Sequence, residues 1–309
     1  MIDIVGKRFW YLIISLILIT PGVVSLIIPP GWSTFDSGLR PGIDFTSGTV
    51  LSVRFAERTT DSSISAVMAE NGHSSVLIQR INDRDYLIRT KVLSQDLVDG
   101  ISEREKLEAA LSEKISPVLS VDVDTVSPII AKETIRNTML ALGVASLFIL
   151  AYIWYAFRKA PNAHRFGFSA ILALVHDLII VLGIFSILGR TLNIEVNSMF
   201  IIGLLTVVGY SVNDTIVVFD RIRENTAKYP NAQLASNINL SICESIGRSI
   251  NTSFTTIVVI LAMLLIGGSS IRELLIVVAI GVGVGTYSSI FVASQFLIFW
   301  DNRRRRRTT

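Results

Sequence analysis

Six apolar segments take up most of this 309-residue chain: Phe9–Ile28, Ile135–Phe157, Phe166–Leu188, Asn197–Phe219, Ile250–Ile266 and Leu274–Trp300. A helix needs about 20 predominantly apolar residues to cross a bilayer, and each segment is close to that length. In lipid every backbone polar group must be satisfied internally, which leaves helices or a closed barrel. Unbroken runs of this length select helices, so the sequence predicts a polytopic α-helical membrane protein with six transmembrane helices. Only 17% of residues are charged, against about 25% in ordinary soluble proteins. Lys7 and Arg8 precede the first segment as they would in a secretory signal. Its apolar stretch exceeds the ~7–15 residues of a signal core, and Pro29-Pro30 replaces a small-residue cleavage site, so it reads as an uncleaved anchor.

Basic residues orient the spans. Lys7 and Arg8 lie before the first, Arg158, Lys159 and Arg165 between the second and third, Arg221, Arg223, Lys228 and Arg248 after the fourth, and Arg303 to Arg307 after the sixth. The two short loops on the other side hold only Arg190 and Arg272. The positive-inside rule then places both termini in the cytoplasm. The resulting order is a cytoplasmic N-terminus (1–8), spans at 9–28, 135–157, 166–188, 197–219, 250–266 and 274–300, an extracytoplasmic domain (29–134), a cytoplasmic amphipathic segment (220–249) and a basic tail (301–309). Within 220–249, Ile238, Ile242, Ser245 and Ile246 recur at helical spacing, which suggests an amphipathic helix at the cytoplasmic interface, its apolar face packed on the base of the bundle as the favoured reading.

The extracytoplasmic segment reads as strand (Thr49–Phe55), helix (Asp61–Asn71), strand (Ser75–Ile81), strand (Tyr86–Val92), helix (Gly100–Ile115), strand (Val118–Val126). Asn82-Asp83 mark the turn between the middle strands, and Ser102 with Glu105 form a capping box. The order β-α-β-β-α-β is that of the ferredoxin-like α+β unit. No catalytic constellation stands out in it. GIDFTSGT (Gly42 to Thr49) has turn glycines but lacks the Lys of a phosphate-binding loop, and reads as the lead into the first strand.

Chemistry concentrates in the spans. Asp214 is a carboxylate inside an apolar run, flanked by Asn213 and Thr215, with Ser211 one turn earlier. A charge there costs several kcal/mol, so such residues face a bundle interior, a water path or a partner charge. Asp214 is therefore the candidate proton-responsive group, the alternative being a carboxylate that only ties helices together. Arg248 precedes a span that opens with hydroxyls, among them Thr255. It reads equally as a counter-ion for Asp214 and as a snorkelling arginine that sets topology. Asp177, beside His176 and deeper in its span, is a candidate second relay site or an interhelical hydrogen-bond acceptor. Gly281 and Gly285 have small-xxx-small spacing, which favours close helix packing; Ser288 and Ser289 follow. One cysteine cannot form an internal disulfide, and three histidines lack metal-ligand spacing. The chain is expected to be no enzyme and to bind neither cofactor nor metal. It has no nucleotide-binding motif, and no basic-aromatic face for nucleic acid despite its pI near 9.1.

GIDFTSGT after the first span, YSVNDTIVVFDRIREN through the fourth, INLSICESIGRSINTSFTT into the fifth and GTYSSIFVA in the sixth resemble the SecF side of the SecD/SecF family of protein-export membrane proteins, within the RND-type superfamily. Ser47 departs from the family's usual second glycine, and Glu244 to Ser249 from its usual Gln-Thr-Leu-Ser-Arg-Thr, while Arg248 is kept. The resemblance implies half of an RND-type bundle that pairs with SecD and associates with the SecYEG channel, with YajC a further associate. It implies that the proton gradient is the energy source for drawing unfolded polypeptides across the cytoplasmic membrane. It also implies that Asp214 and Arg248 take part in proton coupling, with Asp177 as a second relay site. Two other functions fit the sequence: an RND-type proton-driven exporter of small molecules or lipids, and a structural anchor. The first usually has two large loops, and the second would tolerate Asp214→Asn. The choice between H⁺ and Na⁺ stays open at the level of sequence.

Overall fold

The computed structural model describes residues 3–28, 38–74, 76–94, 101–158, 163–266, 268 and 271–300. In chain order the elements are α1 (Arg8–Ile27), α2 (Ile43–Thr46), β1 (Gly48–Phe55), α3 (Asp61–Glu70), β2 (Leu77–Arg80), β3 (Asp85–Thr90), α4 (Glu103–Lys114), β4 (Val118–Val126), α5 (Pro128–Ala156), α6 (Ala163–Thr191), α7 (Ser198–Lys228), α8 (Leu234–Ile266) and α9 (Arg272–Ser288). The last helix continues through a π-helical turn, Ser289–Ala293, so that Arg272–Trp300 is helical throughout. Among the described residues six helices are long and apolar enough to cross a membrane. The chain forms two compact units, Pro41–Asn137 and the remainder, with the division inside α5.

The smaller unit is a four-stranded antiparallel sheet in the order β2-β3-β1-β4, covered by α3 and α4. Alternate β1 residues Leu51, Val53 and Phe55 point to one face and meet Tyr86 and Ile88 of β3. Ile64, Val67 and Met68 of α3 and Leu107 and Leu111 of α4, at helical spacing, close over them. The period-2 strands and period-3.6 helices thus share one apolar layer. Ser102 Oγ accepts from Glu105 N at 3.2 Å while Ser102 N donates to Glu105 Oε2 at 2.9 Å, the reciprocal box expected from the sequence. Ile81 N and Asn82 N both donate to Asp85 O, which closes the hairpin at Asn82-Asp83.

GIDFTSGT differs from the simple lead into a strand: it first makes the short helical turn α2. Ser47 then has φ 63° and Gly48 φ 124°. Side-chain-bearing residues rarely adopt such angles, so the serine in place of glycine sits where the backbone favours glycine. A Cβ at Gly48 would also lie 2.7 Å from Thr90 O, so this glycine lets β1 approach β3.

The amphipathic segment 220–249 is not a separate interfacial helix. α7 runs on to Lys228, and α8 starts at Leu234 and passes without a break into the fifth span. Nothing interrupts the ladder: the next proline, Pro230, falls between the two helices. Ile238 and Ile242 are fully buried in the same apolar cluster as Val218, Phe219 and Ile222 of α7, which takes the apolar face into the base of the bundle. Arg221 pairs with Glu244 at 2.7 Å and with Glu224 at 2.6 Å, and Arg223 with Asp220 at 2.5 Å. Pro29, Pro30, Ser75, Gly100, Lys159 and the basic tail lie outside the described residues.

Candidate functional site

α7 and α9 pack as parallel helices through one ridge each. A Cβ on Gly203 would meet Val277, one on Gly281 would meet Val207, and one on Gly285 would lie 3.1 Å from Ser211 Cα. The next turn places Thr215 Oγ1 2.8 Å from Ser289 Oγ. Large faces small at successive i, i+4 positions, so the two backbones approach closely. Gly281 and Gly285 therefore act in packing, as their spacing predicts. α1 crosses α6 by the same device, with Gly22 against the backbone of Gly183.

This close packing brings polar side chains of α6, α7 and α9 to one point. Asp177, fully buried, accepts from Ser211 Oγ at 2.6 Å and from Ser288 Oγ at 2.7 Å, both on Oδ2. Its Oδ1 lies 2.9 Å from His176 Nδ1. The π turn begins one residue after Ser288 and reorients the side chains that follow it; Ser288, Ser289 and Ser294 are all buried. Ser289 Oγ donates to Ser211 O at 3.2 Å, and Ser294 Oγ to Ser289 O at 3.2 Å. The His176 ring stacks near Tyr287, whose hydroxyl donates to Tyr11 O of α1 at 2.7 Å and lies 3.3 Å from Ser15 Oγ.

Asp214 lies three residues beyond Ser211, about 4–5 Å further along α7, and is 3% exposed. It faces α8 and α9, where Ser253 and Thr286 are its hydroxyl neighbours. Those two hydroxyls also bond each other, and Tyr210 OH donates to Ser253 at 3.3 Å. Asp214 Oδ2 has no hydrogen-bond partner among the described residues. The cation whose charge acts on it is Arg248, about 7–8 Å of helix below Ser253 on α8. No ion pair joins Asp214 and Arg248 among the described residues, so the guanidinium acts across a gap. The two carboxylates differ in kind. Asp177 is held by three partners, whereas Asp214 keeps a bare buried oxygen that a proton or a cation can take up.

Two residues expected to support Asp214 do not reach it. Asn213 is on the exposed face of α7, because adjacent helical residues point about 100° apart. Thr255 is exposed, and its hydroxyl bonds back to Asn251 O and Thr252 O. Ser211 serves Asp177 instead, and Thr215 bonds to Ser289. Thr286 was not singled out from the sequence; its only signal is a hydroxyl one residue after Gly285 in an apolar span.

A unit of six long apolar helices with a carboxylate buried in it, together with a separate ferredoxin-like unit, defines a multi-pass membrane protein. Residues 106–303 match the C-terminal model of the protein export membrane proteins SecD and SecF, and residues 32–57 match the SecD/SecF GG motif. The chain belongs to the SecD/SecF family, on its SecF side. It is 36% identical to the protein translocase subunit SecF of Thermobaculum terrenum, covering 98% of this chain and 95% of that one. It is 34% identical to the protein translocase subunit SecDF of Thermus thermophilus, over 88% of this chain and 36% of that one. The crystal structure of a Thermus SecDF, a translocon-associated membrane protein, superimposes with a TM-score of 0.80 at 33% identity. That match covers 97% of this chain and 39% of that one, so the chain spans about two fifths of the solved SecDF.

Proposed function

We propose that this chain is the SecF-type subunit of a Sec protein translocase and couples the proton gradient to the later stages of protein export. One observation carries the reading: Asp214 is buried with a bare Oδ2, beside two hydroxyls and within reach of the Arg248 charge. Protonation at that oxygen removes the charge that Arg248 feels. It thereby changes the force between α7 and α8. One charge moved through the membrane potential is worth about 2.3 kcal/mol per 100 mV, and a bias of a few kcal/mol moves a two-state equilibrium substantially.

Both termini lie in the cytoplasm in this reading, with the ferredoxin-like unit outside, where it meets unfolded polypeptide. SecD supplies the second bundle. In support, Gly209 and Asn213 form part of an exposed face of α7 beside Asp214, and an amide facing lipid is unfavourable unless a partner covers it. A relative in which SecD and SecF share one chain is in keeping with such a pair. The SecYEG channel, YajC and membrane lipid complete the surroundings. The chain performs no bond chemistry and uses no cofactor.

The test is gradient-dependent export of a secretory protein into inverted vesicles that carry SecD with either the wild-type chain or Asp214→Asn. Asparagine keeps the shape and removes the titrating group. Loss of the gradient-dependent stimulation in a normally assembled complex is expected; an unchanged gradient response refutes the coupling role.

A further inference from the structure

The packing of α7 on α8 brings Asp214 and Ser249 to one level. Ser241 Oγ donates to Arg221 O at 3.2 Å, which fixes the antiparallel register of the two helices. Asp214 lies seven residues before Arg221 on α7, and Ser249 eight residues after Ser241 on α8. Both are therefore about 10–12 Å from that contact in the same direction. Each is buried, at 3% and 1% exposure. Each also carries an atom that is bare among the described residues, Asp214 Oδ2 and Ser249 Oγ. Buried polar atoms in native proteins are nearly always hydrogen-bonded, by protein or by water. A carboxylate oxygen and a hydroxyl at one level of one helix pair are the polar partners that a bound water needs.

The inward face of α8 sets the end from which that water arrives. Ser241, Ser245, Ser249 and Ser253 follow one another at four-residue spacing, and all four are buried. Ser241 and Ser245 donate one turn back, to Asn237 O and Ser241 O, each at 2.7 Å. Their oxygens keep a lone pair that can accept from water. Asn225 Nδ2 joins Ser241 to Glu244, at 3.0 and 2.7 Å, and Glu244 pairs with Arg221 at the basic end. In the other direction the same face turns apolar, where Ile257 and Ile260 pack with Leu275, Val278 and Val282 of α9. Along this seam hydroxyls run from the basic end as far as Asp214 and its partner Ser253, and no further.

We propose that Ser249 is a positioning residue for Asp214: it holds a water against Oδ2, at the inner end of a hydrated seam between α7 and α8 that opens at the end bearing Arg221 and is closed beyond Ser253. A hydronium that arrives along the seam gives its proton to Asp214 Oδ2 and leaves as water. Release reverses the step, and the serine keeps its own proton throughout. The charged and titratable groups about Asp214 are Tyr210 and Arg221 on α7, Arg248 and Glu244 on α8, and Asp177 on α6. α9 presents Thr286, which does not titrate, while its Tyr287 donates to Tyr11 O of α1. The water site rests on the proposed role of Asp214 and adds the path of its proton.

Thiol accessibility tests the seam, in the subunit with SecD in vesicles. Cys243→Ser removes the one native thiol, and Ser245→Cys, Ser249→Cys and Ile257→Cys are then made singly. A small impermeant methanethiosulfonate reacts with thiolates that water reaches. Added to the side bearing Arg221, it should modify Ser245→Cys and Ser249→Cys about tenfold faster than Ile257→Cys, because only the former meet water. Added to the other side, it should modify neither. Export tests the positioning. Ser249 Oγ bonds to no other group among the described residues, so Ser249→Ala breaks no protein hydrogen bond and should leave assembly and thermal stability as they were. It should still lower gradient-stimulated export several-fold, and Ser249→Thr, which keeps the hydroxyl, should restore it. Unreactive thiols at both serine positions, modification from the opposite side, or full stimulation in Ser249→Ala overturns the proposal. Accessibility is read without export, so the two readings fail separately. If the seam is unreactive while Asp214→Asn abolishes stimulation, this inference alone falls. If the seam reacts as described and Asp214→Asn is silent, the coupling role of Asp214 falls instead.

Discussion

Gly281→Ala puts a methyl where α9 meets α7, and its cost follows from the contact. The new Cβ would overlap the methyls of Val207 and lie 2.8 Å from Val207 Cβ. Val207 is fully buried, and a β-branched side chain in a helix has one strongly preferred rotamer, so it cannot swing away. Overpacking of this kind costs about 1–3 kcal/mol. Replacing a helical glycine returns about 0.5–1 kcal/mol, which leaves a net loss of about 1–2 kcal/mol. Val207→Ala alone removes two buried methyls, at about 0.5–1.5 kcal/mol for each. In the double variant the new methyl occupies part of the space vacated, so its loss should be near that of one methyl, about 1 kcal/mol. The sum of the single effects, about 2–5 kcal/mol, then exceeds the double by at least about 1 kcal/mol, as expected for touching residues. Gly283→Ala is the control: a Cβ there meets nothing within 4 Å, so only the gain of about 0.5–1 kcal/mol remains. Denaturant titration of the purified subunit, followed by circular dichroism, measures all four. Gradient-driven export should follow the same order, because α7 carries Asp214 and α9 carries Thr286. Strictly additive losses in the double variant would refute the ridge-on-ridge contact.

Further outcomes are expected in the smaller unit. Arg54 donates to both oxygens of Asp85, at 2.6 and 3.2 Å, and with help from Asn82 holds that carboxyl below its ordinary value. A carboxylate whose folded pKa is depressed stabilises above its unfolded value of about 3.9 and loses that contribution as pH falls through the lower folded value. Arg54→Ala should therefore be the less stable protein at neutral pH and converge with wild type in strong acid; parallel acid-unfolding curves would contradict this. Ser102→Ala removes the hydroxyl that caps α4 and should cost about 1 kcal/mol, measured by denaturant unfolding. Gly22→Ala, whose Cβ would press on the backbone of Gly183, should destabilise more than Gly281→Ala, because a backbone has no rotamer to change.

The sequence by itself determined what depends on one segment at a time. Length and apolarity fix the spans because lipid offers the backbone no partner. Alternation and helical spacing fix the smaller unit because each face must find the same core, and the Ser102–Glu105 box is local to one turn. That Asp214 is buried and functionally suspect also follows from one helix, since a carboxylate in an apolar run has nowhere inexpensive to point. Its surroundings were decided by tertiary structure. Asn213 is its neighbour in sequence yet turns outward, while Ser253 and Thr286, on other helices, turn toward it. The three-helix grip on Asp177 depends on the ridge register between α7 and α9, which brings Ser211 and Ser288 to the same carboxylate oxygen. The continuity of α8 depends on the packing of Ile238 and Ile242 against α7. Hydropathy and periodicity are properties of one chain segment, whereas the register between helices is set by which side chains fit together, and that exists only in the folded bundle.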